Sequence, residues 1–376
     1  IDGHAPGLAG RDLNAYVAAG IRSDHESTEL EEAREKLRRG MHLMIREGTT
    51  ARNLRALLPV VTAANARFCH FCTDDRHPDT LLSEGHIDDL VRKAIAWGLD
   101  PVTAVQMATI NTAEYFGLRE VGAVAPGYRA DLLVLDDLEA VTVAQVYAGG
   151  QLVAEKGNFL LERGQLPHVP VQPSMHVPLS AIDLEIPASG SLARVIGVIP
   201  EQIVTEDLRL APTTEDGLVV SDPQRDLLKI AVVERHHGTG HVGLGLVKGV
   251  GLKRGAIASS VAHDSHNIVA VGATDKEIKA AVKAVVEMGG GQVVLDGGEV
   301  LAACALPIAG LISDRPLEEV RDQVEALTEA ARALGCALPD PLMTLSFLAL
   351  PVIPALKLTD RGLVDVNAFD LVPLYE

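Results

Sequence analysis

Short apolar runs alternate with amphipathic segments through the first hundred residues of this 376-residue chain. The apolar runs lie at residues 1–4, 21–25, 41–46 and 67–73. This alternation predicts parallel βα units, in which each strand is followed by a helix that covers the sheet. The chain provides about four such units, which is half of what a closed (β/α)₈ barrel requires.

Ionisable residues stand at the ends of three of these predicted strands. His4 ends the first, His25 lies within the S-D-H-E stretch that ends the second, and Asp74 follows the last. Barrels of this type place their chemistry at the carboxyl ends of the strands, so the three side chains are expected to converge. Two imidazoles and a carboxylate suit a divalent zinc, manganese or iron ion, which lowers the pKa of a bound water. Each residue alone is better explained as a polar strand end, and only their shared position favours a site.

Composition excludes some classes of partner. The formal net charge of −18 argues against binding a phosphate backbone, so no nucleic-acid partner is expected. No apolar run is long enough to span a bilayer, so no membrane partner is expected. Four cysteines include the pair Cys69 and Cys72, but no second close pair completes a zinc ribbon. Buried, reduced thiols and a cytoplasmic location are therefore expected.

The remaining pattern predicts the domain organisation. In the first hundred or so residues, helices are expected at 10–19, 29–39, 54–65, 87–97 and 101–109, with Ser27 or Thr28 capping the second. A small β subdomain is expected at 117–163, with a hairpin that turns at Gly149-Gly150. A proline-rich linker is expected at 164–189 and a C-terminal α/β (α+β) domain at 190–376. Because residue 1 falls inside an element, the chain is expected to be a piece of a longer one.

Several long stretches resemble one known family. I-D-G-H-A-P-G-L, S-D-H-E, F-C-T-D-D-R-H-P, E-G-H-I-D and M-A-T-I-N-T-A-E-Y-F-G-L are similar to the bacterial and archaeal adenine deaminases of the amidohydrolase superfamily. G-Y-R-A-D-L-L-V-L-D-D resembles the β subdomain that follows the barrel in that superfamily. E-R-H-H-G-T-G and S-S-V-A-H-D-S-H-N-I resemble the extra C-terminal domain of the family. The resemblance covers nearly the whole chain.

The resemblance implies a role for individual residues. His4, His25 and Asp74 match the metal ligands of the fifth, sixth and eighth barrel strands, and Asp74 also shuttles the proton. Glu26 is expected to protonate a ring nitrogen, with a loop or cap role as the alternative.

The loop that follows the eighth strand is expected to contact the purine. Its candidate residues are Glu84 and His86, whose alternative is again a loop or cap role. Asp75 is a further candidate contact, and because it is adjacent to Asp74, the match to the family ligand leaves open which of the two aspartates binds the metal.

The implied activity is hydrolytic deamination of adenine to hypoxanthine and ammonia, within purine salvage. The expected cofactor is a divalent metal, with Mn²⁺ preferred over Fe²⁺ or Zn²⁺, binuclear in the complete protein. The expected partners are a small purine base and a second copy of the chain in a homodimer. Two alternatives remain: an amidohydrolase acting on another cyclic amidine or amide, and an inactive fragment or metal-poor binding protein.

One departure from the family is the absence of its first-strand His-x-His pair and its fourth-strand carboxylate. The C-terminal half of the barrel is therefore expected in these residues, with the other half on the same or a separate chain. The roles of His236, His237, His263 and His266 stay open. A second metal site and a Ser-His-Asp arrangement are both conceivable, although no G-x-S-x-G elbow accompanies them. An interface or a cover over the barrel mouth is favoured.

Overall fold

The structure is a computed structural model that describes residues 1–49, 51–161, 171–200 and 202–375. The chain divides into two compact units, Ile1–Pro167 and His168–Glu376. Each unit has its own sheets and its own hydrophobic core. Within the described residues, no helix is both long and apolar enough to cross a lipid bilayer.

The first unit begins with a four-stranded sheet in which every neighbouring pair is parallel. Its strands, in spatial order, are β1 (Asp2–Gly3), β2 (Ser23–Asp24), β3 (His42–Arg46) and β4 (Cys69–Cys72). The helices are α1 (Gly10–Ala18), α2 (Leu30–Arg38), α3 (Leu54–Leu57), α4 (Pro78–Ser83), α5 (Ile87–Ala96), α6 (Pro101–Ala108) and α7 (Ile110–Tyr115). The parallel βα pattern predicted from the sequence and the α/β class are confirmed.

Alternation along the strands separates a core face from a polar face. Leu43 and Ile45 of β3 and Phe71 of β4 pack with α5 in one core cluster. Because successive side chains of a strand point to opposite faces, Arg46 and Cys72 lie on the other face. Packing of the core face therefore determines that Arg46 and Cys72, at the carboxyl ends of β3 and β4, lie on the opposite face.

Two local predictions were wrong. The N-cap of α2 is Glu29, without a side-chain cap, because the Ser27 hydroxyl donates to buried Asp24 instead. The helix expected at 54–65 ends as α3 and continues only as a 3₁₀ turn at Leu58–Val60. Pro59 lies in that turn and cannot donate the backbone hydrogen bond that a continuing helix needs.

A second sheet of the first unit is antiparallel, with its strands in chain order. Its strands are β5 (Leu132–Asp137), β6 (Thr142–Ala148), β7 (Gln151–Glu155) and β8 (Asn158–Phe159). The predicted hairpin turn at Gly149-Gly150 is confirmed, and both glycines have positive φ. This conformation suits the tight two-residue turn between β6 and β7.

The second unit is built on an eight-stranded sheet with the order β10-β9-β14-β13-β16-β15-β17-β18. Its strands are β9 (Ala193–Val198), β10 (Thr205–Leu210), β13 (Leu227–Val233), β14 (Val242–Lys248), β15 (Ala256–Ser259), β16 (Ile268–Gly272), β17 (Gly291–Asp296) and β18 (Glu299–Ala305). Smaller sheets pair β11 (Thr213–Glu215) with β12 (Leu218–Val220), and β19 (Leu356–Thr359) with β20 (Gly362–Asp365) and β21 (Asp370–Val372).

Helices cover both faces of the large sheet. These are α8 (Asp275–Glu287) on one face, and α9 (Leu317–Ala333) and α10 (Pro341–Phe347) on the other. All seven residues of β13 are buried; Leu228, Ile230 and Val232 lie in the cluster with α9 and α10, and Ala231 and Val233 lie in the cluster with α8. Ile182 and Leu184 pack with α8, so this part of residues 171–189 belongs to the second unit.

Candidate active site

The carboxyl ends of β1 and β2 bring two histidines and a glutamate together. Ligand atoms of His4, His25 and Glu26 all lie within 4.8 Å of one another. The Nδ1 of His4 is 3.5 Å from Oε1 of Glu26, and the Nε2 of His25 is 3.6 Å from the same oxygen. Among the residues that the structure describes, this is the only such group of three or more metal-capable side chains.

Asp74 reaches the same place from the end of β4. Its Oδ2 lies 3.9 Å from Nε2 of His25. Asp74 has a φ of 59°, a left-handed conformation in which aspartate and asparagine are enriched among non-glycine residues. The structure thus brings together His4, His25, Glu26 and Asp74, which the sequence had singled out.

Arg46, at the end of β3, is a residue that the sequence reasoning missed. Its guanidinium contacts Oε1 of Glu26, lies 2.7 Å from Oδ2 of Asp74 and donates to Oδ1 of Asp75 at 2.8 Å. Burial lowers its pKa, but the hydrogen bond to Asp75 and the charges of Asp74 and Glu26 outweigh burial and raise the pKa overall. Arg46 is therefore a permanent cation that draws three carboxylates together. The signal was available, because Arg46 ends a predicted strand just as His25 does.

Gly48 allows this close arrangement. A Cβ atom at this position would lie 1.9 Å from Oδ1 of Asp75 and 2.7 Å from the carbonyl oxygen of Thr73. No side chain fits there without displacing the carboxylate that holds Arg46.

Asp2 is a second residue that the sequence reasoning missed. Its Oδ2 lies 3.2 Å from Nδ1 of His25, and its Oδ1 accepts a hydrogen bond from the Ser23 hydroxyl. A histidine that ligates a metal through one nitrogen commonly donates its other N–H to a carboxylate. With Nδ1 engaged by Asp2, the Nε2 of His25 faces Glu26 and Asp74. The donor set and this second contact both fit a divalent cation.

Glu84 and His86 have partners outside the His4–His25 group. Glu84 accepts hydrogen bonds from Lys93 at 2.9 Å and Arg52 at 3.2 Å. The hydrogen bond from Lys93, followed by the nearby charges, lowers the Glu84 pKa. The Nε2 of His86 lies 3.0 Å from the hydroxyl of Thr73. Thr73 is the residue that precedes Asp74.

The C-x-x-C pair carries free thiols. Cys69 is buried in the core, and Cys72 is half-buried. Burial raises the pKa of each to about 12, so both thiols are protonated at neutral pH. Neither thiol belongs to the group of converging metal-capable side chains among the described residues.

Two loops of the second unit, residues 234–241 and 260–267, hold most of the remaining candidate histidines; together they are called the histidine loops. Glu234 accepts hydrogen bonds from the backbone amides of His236, His237 and Thr239. Burial raises the Glu234 pKa, but these hydrogen bonds lower it to about 2. The Nε2 of His236 lies 2.7 Å from the Ser265 carbonyl oxygen.

Buried Arg235 ties the histidine loops to neighbouring segments. It donates to the carbonyl oxygens of His266, Ser174 and Ala309. The rings of His263 and His266 lie 5.4 Å apart, edge to face. In the described part of the second unit, no three metal-capable side chains converge within 4.8 Å.

Comparison with known families defines the class of protein first. Residues 1–153 match the Amidohydrolase family. Residues 202–370 match the Adenine deaminase C-terminal domain. A solved amidohydrolase from Thermotoga maritima MSB8 is 18% identical over 41% of this chain and 44% of that chain, with a TM-score of 0.32, which is too low to add to this assignment.

Curated relatives narrow the assignment. An adenine deaminase of Desulfatibacillum aliphaticivorans is 56% identical over 100% of this chain and 66% of that protein. Adenine deaminase 2 of Carboxydothermus hydrogenoformans is 51% identical over the same shares. The chain belongs to the adenine deaminase family. It spans about two thirds of the length of these curated relatives.

Proposed function

We propose that this chain carries the metal-binding strand ends of an enzyme that hydrolyses adenine to hypoxanthine and ammonia. The convergence of His4, His25 and Glu26 with Asp74, in a chain of the adenine deaminase family, is the observation that carries the proposal. The substrate is a flat neutral base, which is compatible with the net charge of −18. Purine salvage in the cytoplasm is the proposed setting.

His4, His25 and Asp74 are the proposed metal ligands, and Glu26 stands within reach of the same ion. Mn²⁺ is the proposed metal, with Fe²⁺ or Zn²⁺ as alternatives, because imidazole and carboxylate donors accept all three. A divalent ion in this position would lower the pKa of water and so supply a nucleophile at neutral pH.

Asp74 is the proposed proton shuttle. Its carboxylate accepts a proton from the attacking water and delivers it to the C6 amino group, which leaves as ammonia. Oxygen thereby replaces nitrogen on C6, and the second water proton restores the acid that protonated the ring nitrogen of hypoxanthine. Arg46 holds Oδ2 of Asp74 at 2.7 Å and so fixes the position of the carboxylate.

Glu26 is the proposed acid that protonates a ring nitrogen, because attack on C6 places negative charge on the purine. Its Oε1 lies between the two histidines, and only 15% of its side chain is exposed. Asp75, Glu84 and His86 are the proposed substrate contacts. The buried Nε of Arg46 has no hydrogen-bond partner within the described residues, so it can donate to a ligand.

The proposed organisation keeps the boundaries predicted from the sequence. Residues 1–116 would form the C-terminal half of a (β/α)₈ barrel, and 117–163 the β subdomain. Residues 164–189 would connect the β subdomain to the C-terminal domain at 190–376; of these, 164–170 lie outside the described residues, and Ile182 and Leu184 pack within the second unit. The other barrel half would supply the remaining ligands of a binuclear centre, from the same or a separate chain, in a homodimer.

The test is conversion of adenine to hypoxanthine by the purified protein with Mn²⁺ supplied. Asp74→Asn should reduce turnover by at least about 10²-fold, since general acid–base groups contribute roughly 10²–10⁴. The matched control is Asp264→Asn in the histidine loops, which should remain within about twofold of the parent. Turnover of another cyclic amidine with adenine inert would contradict the proposed substrate. Absence of turnover on any purine would contradict the proposed activity of this chain.

A further inference from the structure

A buried ion pair lies directly behind the candidate metal ligands. The side chains of Asp24 and Lys36 are both 0% exposed, and Nζ of Lys36 lies 2.9 Å from Oδ2 of Asp24. Removing two charges from water is unfavourable, and a buried pair often stabilises a fold no better than apolar residues of the same size. General stability therefore does not explain this pair well, and its contacts indicate what else it does.

Asp24 connects the backbone next to both histidines. Its Oδ1 accepts a hydrogen bond at 2.8 Å from the amide of Ala5, the residue that follows His4. Its Oδ2 accepts one at 3.2 Å from the amide of Glu26, the residue that follows His25. A single carboxylate thus fixes the backbone beside each candidate ligand.

Lys36 completes the connection from helix α2. Its Nζ donates to the carbonyl oxygen of Ala5 at 2.7 Å and to the Ser27 hydroxyl at 3.0 Å. It also donates to Glu32, which accepts a hydrogen bond from the amide of Gly7 at 2.7 Å. Ala5 is therefore held at both its N–H and its C=O, and the loop after β1 is fastened to α2.

Sheet pairing alone does not set the separation of the two histidines. The registered pairs of β1 with β2 are Asp2 with Ser23 and Gly3 with Asp24, and the pairing ends before His4. Beyond that point, the contacts of Asp24 and Lys36 hold the two strand ends together.

We propose that Asp24 and Lys36 are positioning residues that hold His4 and His25 at the separation needed to bind one divalent cation. The inference rests on the proposed function for the metal site, but not on the identity of the substrate. Neither residue contacts the cation in this proposal, because both lie behind the backbone that carries the ligands.

The test is the Mn²⁺ dissociation constant of the full chain, together with the visible absorption of the Co²⁺-loaded protein. Lys36→Met should weaken Mn²⁺ binding by roughly 10–100-fold, the range found when groups that support metal ligands are removed. The Co²⁺ absorption bands should shift, because a change in ligand geometry alters them. Ser27→Ala removes only one hydroxyl from the network, and it should weaken binding by roughly threefold to tenfold.

The matched control is Lys229→Met in the second unit. Lys229 is also buried, with Nζ bonded to the Leu184 carbonyl oxygen at 2.9 Å and to Asp275 at 2.8 Å. This variant should lose stability while its Mn²⁺ affinity stays within about twofold of the parent.

Three outcomes would overturn the inference. These are parent-like Mn²⁺ affinity in Ser27→Ala and Lys36→Met, an equal loss in Lys229→Met, or no metal binding by the parent. If Lys36→Met does not fold, the affinity of Ser27→Ala decides. A parent that binds Mn²⁺ without deaminating adenine would overturn the proposed function alone.

Discussion

The strand-end group of the first unit and the histidine loops of the second contain similar side chains in different settings. At the strand ends, His4, His25 and Glu26 direct their donor atoms toward one another. In the histidine loops, Glu234 accepts from backbone amides and Arg235 donates to backbone carbonyl oxygens. The first arrangement leaves side-chain donors facing a common point, and the second uses them to fix the backbone.

Arg46 and Arg235 show how the two regions differ. Arg46 bonds to side-chain carboxylates, so it sets the charge and geometry of a site. Arg235 bonds to three carbonyl oxygens, so it joins loops. Both stretches of sequence are rich in histidines and charges, so composition does not distinguish them. What separates them is whether the charged side chain bonds to other side chains, as Arg46 does, or to backbone carbonyl oxygens, as Arg235 does.

The largest expected effect is on the stability of the second unit. Arg235→Met removes the hydrogen bonds that a buried guanidinium makes to three part-buried carbonyl oxygens, and it should lower the free energy of unfolding by about 4 kcal/mol. Arg46→Met should lower stability less and adenine turnover more, because its partners are side chains at the site. Denaturant unfolding and steady-state assays measure the two effects. Equal stability losses in both variants would break the comparison.

The next largest effect is on the pH dependence of stability, which should differ between variants of the two units. Burial, and then the charge of His42, lower the pKa of His70 to about 4, so folding favours its neutral form. Because the unfolded pKa is near 6.5, this stability is complete above pH 6.5 and is lost as the pH falls toward 4. In the parent, protonation of His70 should account for roughly 3 kcal/mol of the decrease in the free energy of unfolding between pH 7 and pH 4. His70→Gln should not show this part of the decrease.

Glu234 provides the control for this acid effect. Its depressed pKa, about 2, means that its contribution is present above about pH 4.5 and is lost at lower pH. The free energy of unfolding of Glu234→Gln should therefore still fall between pH 7 and pH 4 by most of the amount seen in the parent. The His70 explanation is wrong if both variants show the same pH profile as the parent.

Metal affinity should distinguish the histidines of the two regions. His25→Ala should weaken Mn²⁺ binding by at least about 100-fold, since it removes a proposed ligand rather than a supporting group. His236→Ala should bind Mn²⁺ like the parent, because its Nε2 is engaged by a backbone carbonyl oxygen. Titration monitored by Mn²⁺ paramagnetic resonance measures both, and a loss in His236→Ala would place a second metal in the histidine loops.

The smallest expected effect concerns the proposed substrate contacts. His86→Gln should raise the KM for adenine roughly fivefold with little change in kcat, as expected when one hydrogen bond common to substrate and transition state is lost. His237→Gln in the histidine loops should leave both constants unchanged. A fall in kcat without a change in KM would instead give His86 a part in the chemical step.

Sequence reasoning succeeded where a single physical rule dominates. The parallel strands followed from apolar runs alternating with helices, and the convergence of His4 with His25 followed from their common place at strand ends. The α2 cap failed because the Ser27 hydroxyl donates to Asp24, which is buried by its contacts with Ala5 and Lys36, rather than capping its own helix. That contact depends on tertiary packing, which no local pattern contains.

Sequence reasoning missed two site residues for the same reason, which is that their contacts depend on tertiary packing. Arg46 and Asp2 act through partners 20 or more positions away, such as Glu26 and His25. Their residue types are common at strand ends, and only the three-dimensional arrangement shows which carboxylate each one meets. The family resemblance had indicated ligands and a proton shuttle, and the structure adds the groups that hold them.

The left-handed backbone of Asp74 limits how this position can evolve or be engineered. A φ of 59° is tolerated by asparagine nearly as well as by aspartate, whereas most other side chains are strained there. Replacement by glutamate or alanine would therefore alter the main chain and the chemistry at once. In a saturation library only the asparagine variant would report on the lost charge alone, and selection for new substrates would find this position nearly closed to variation.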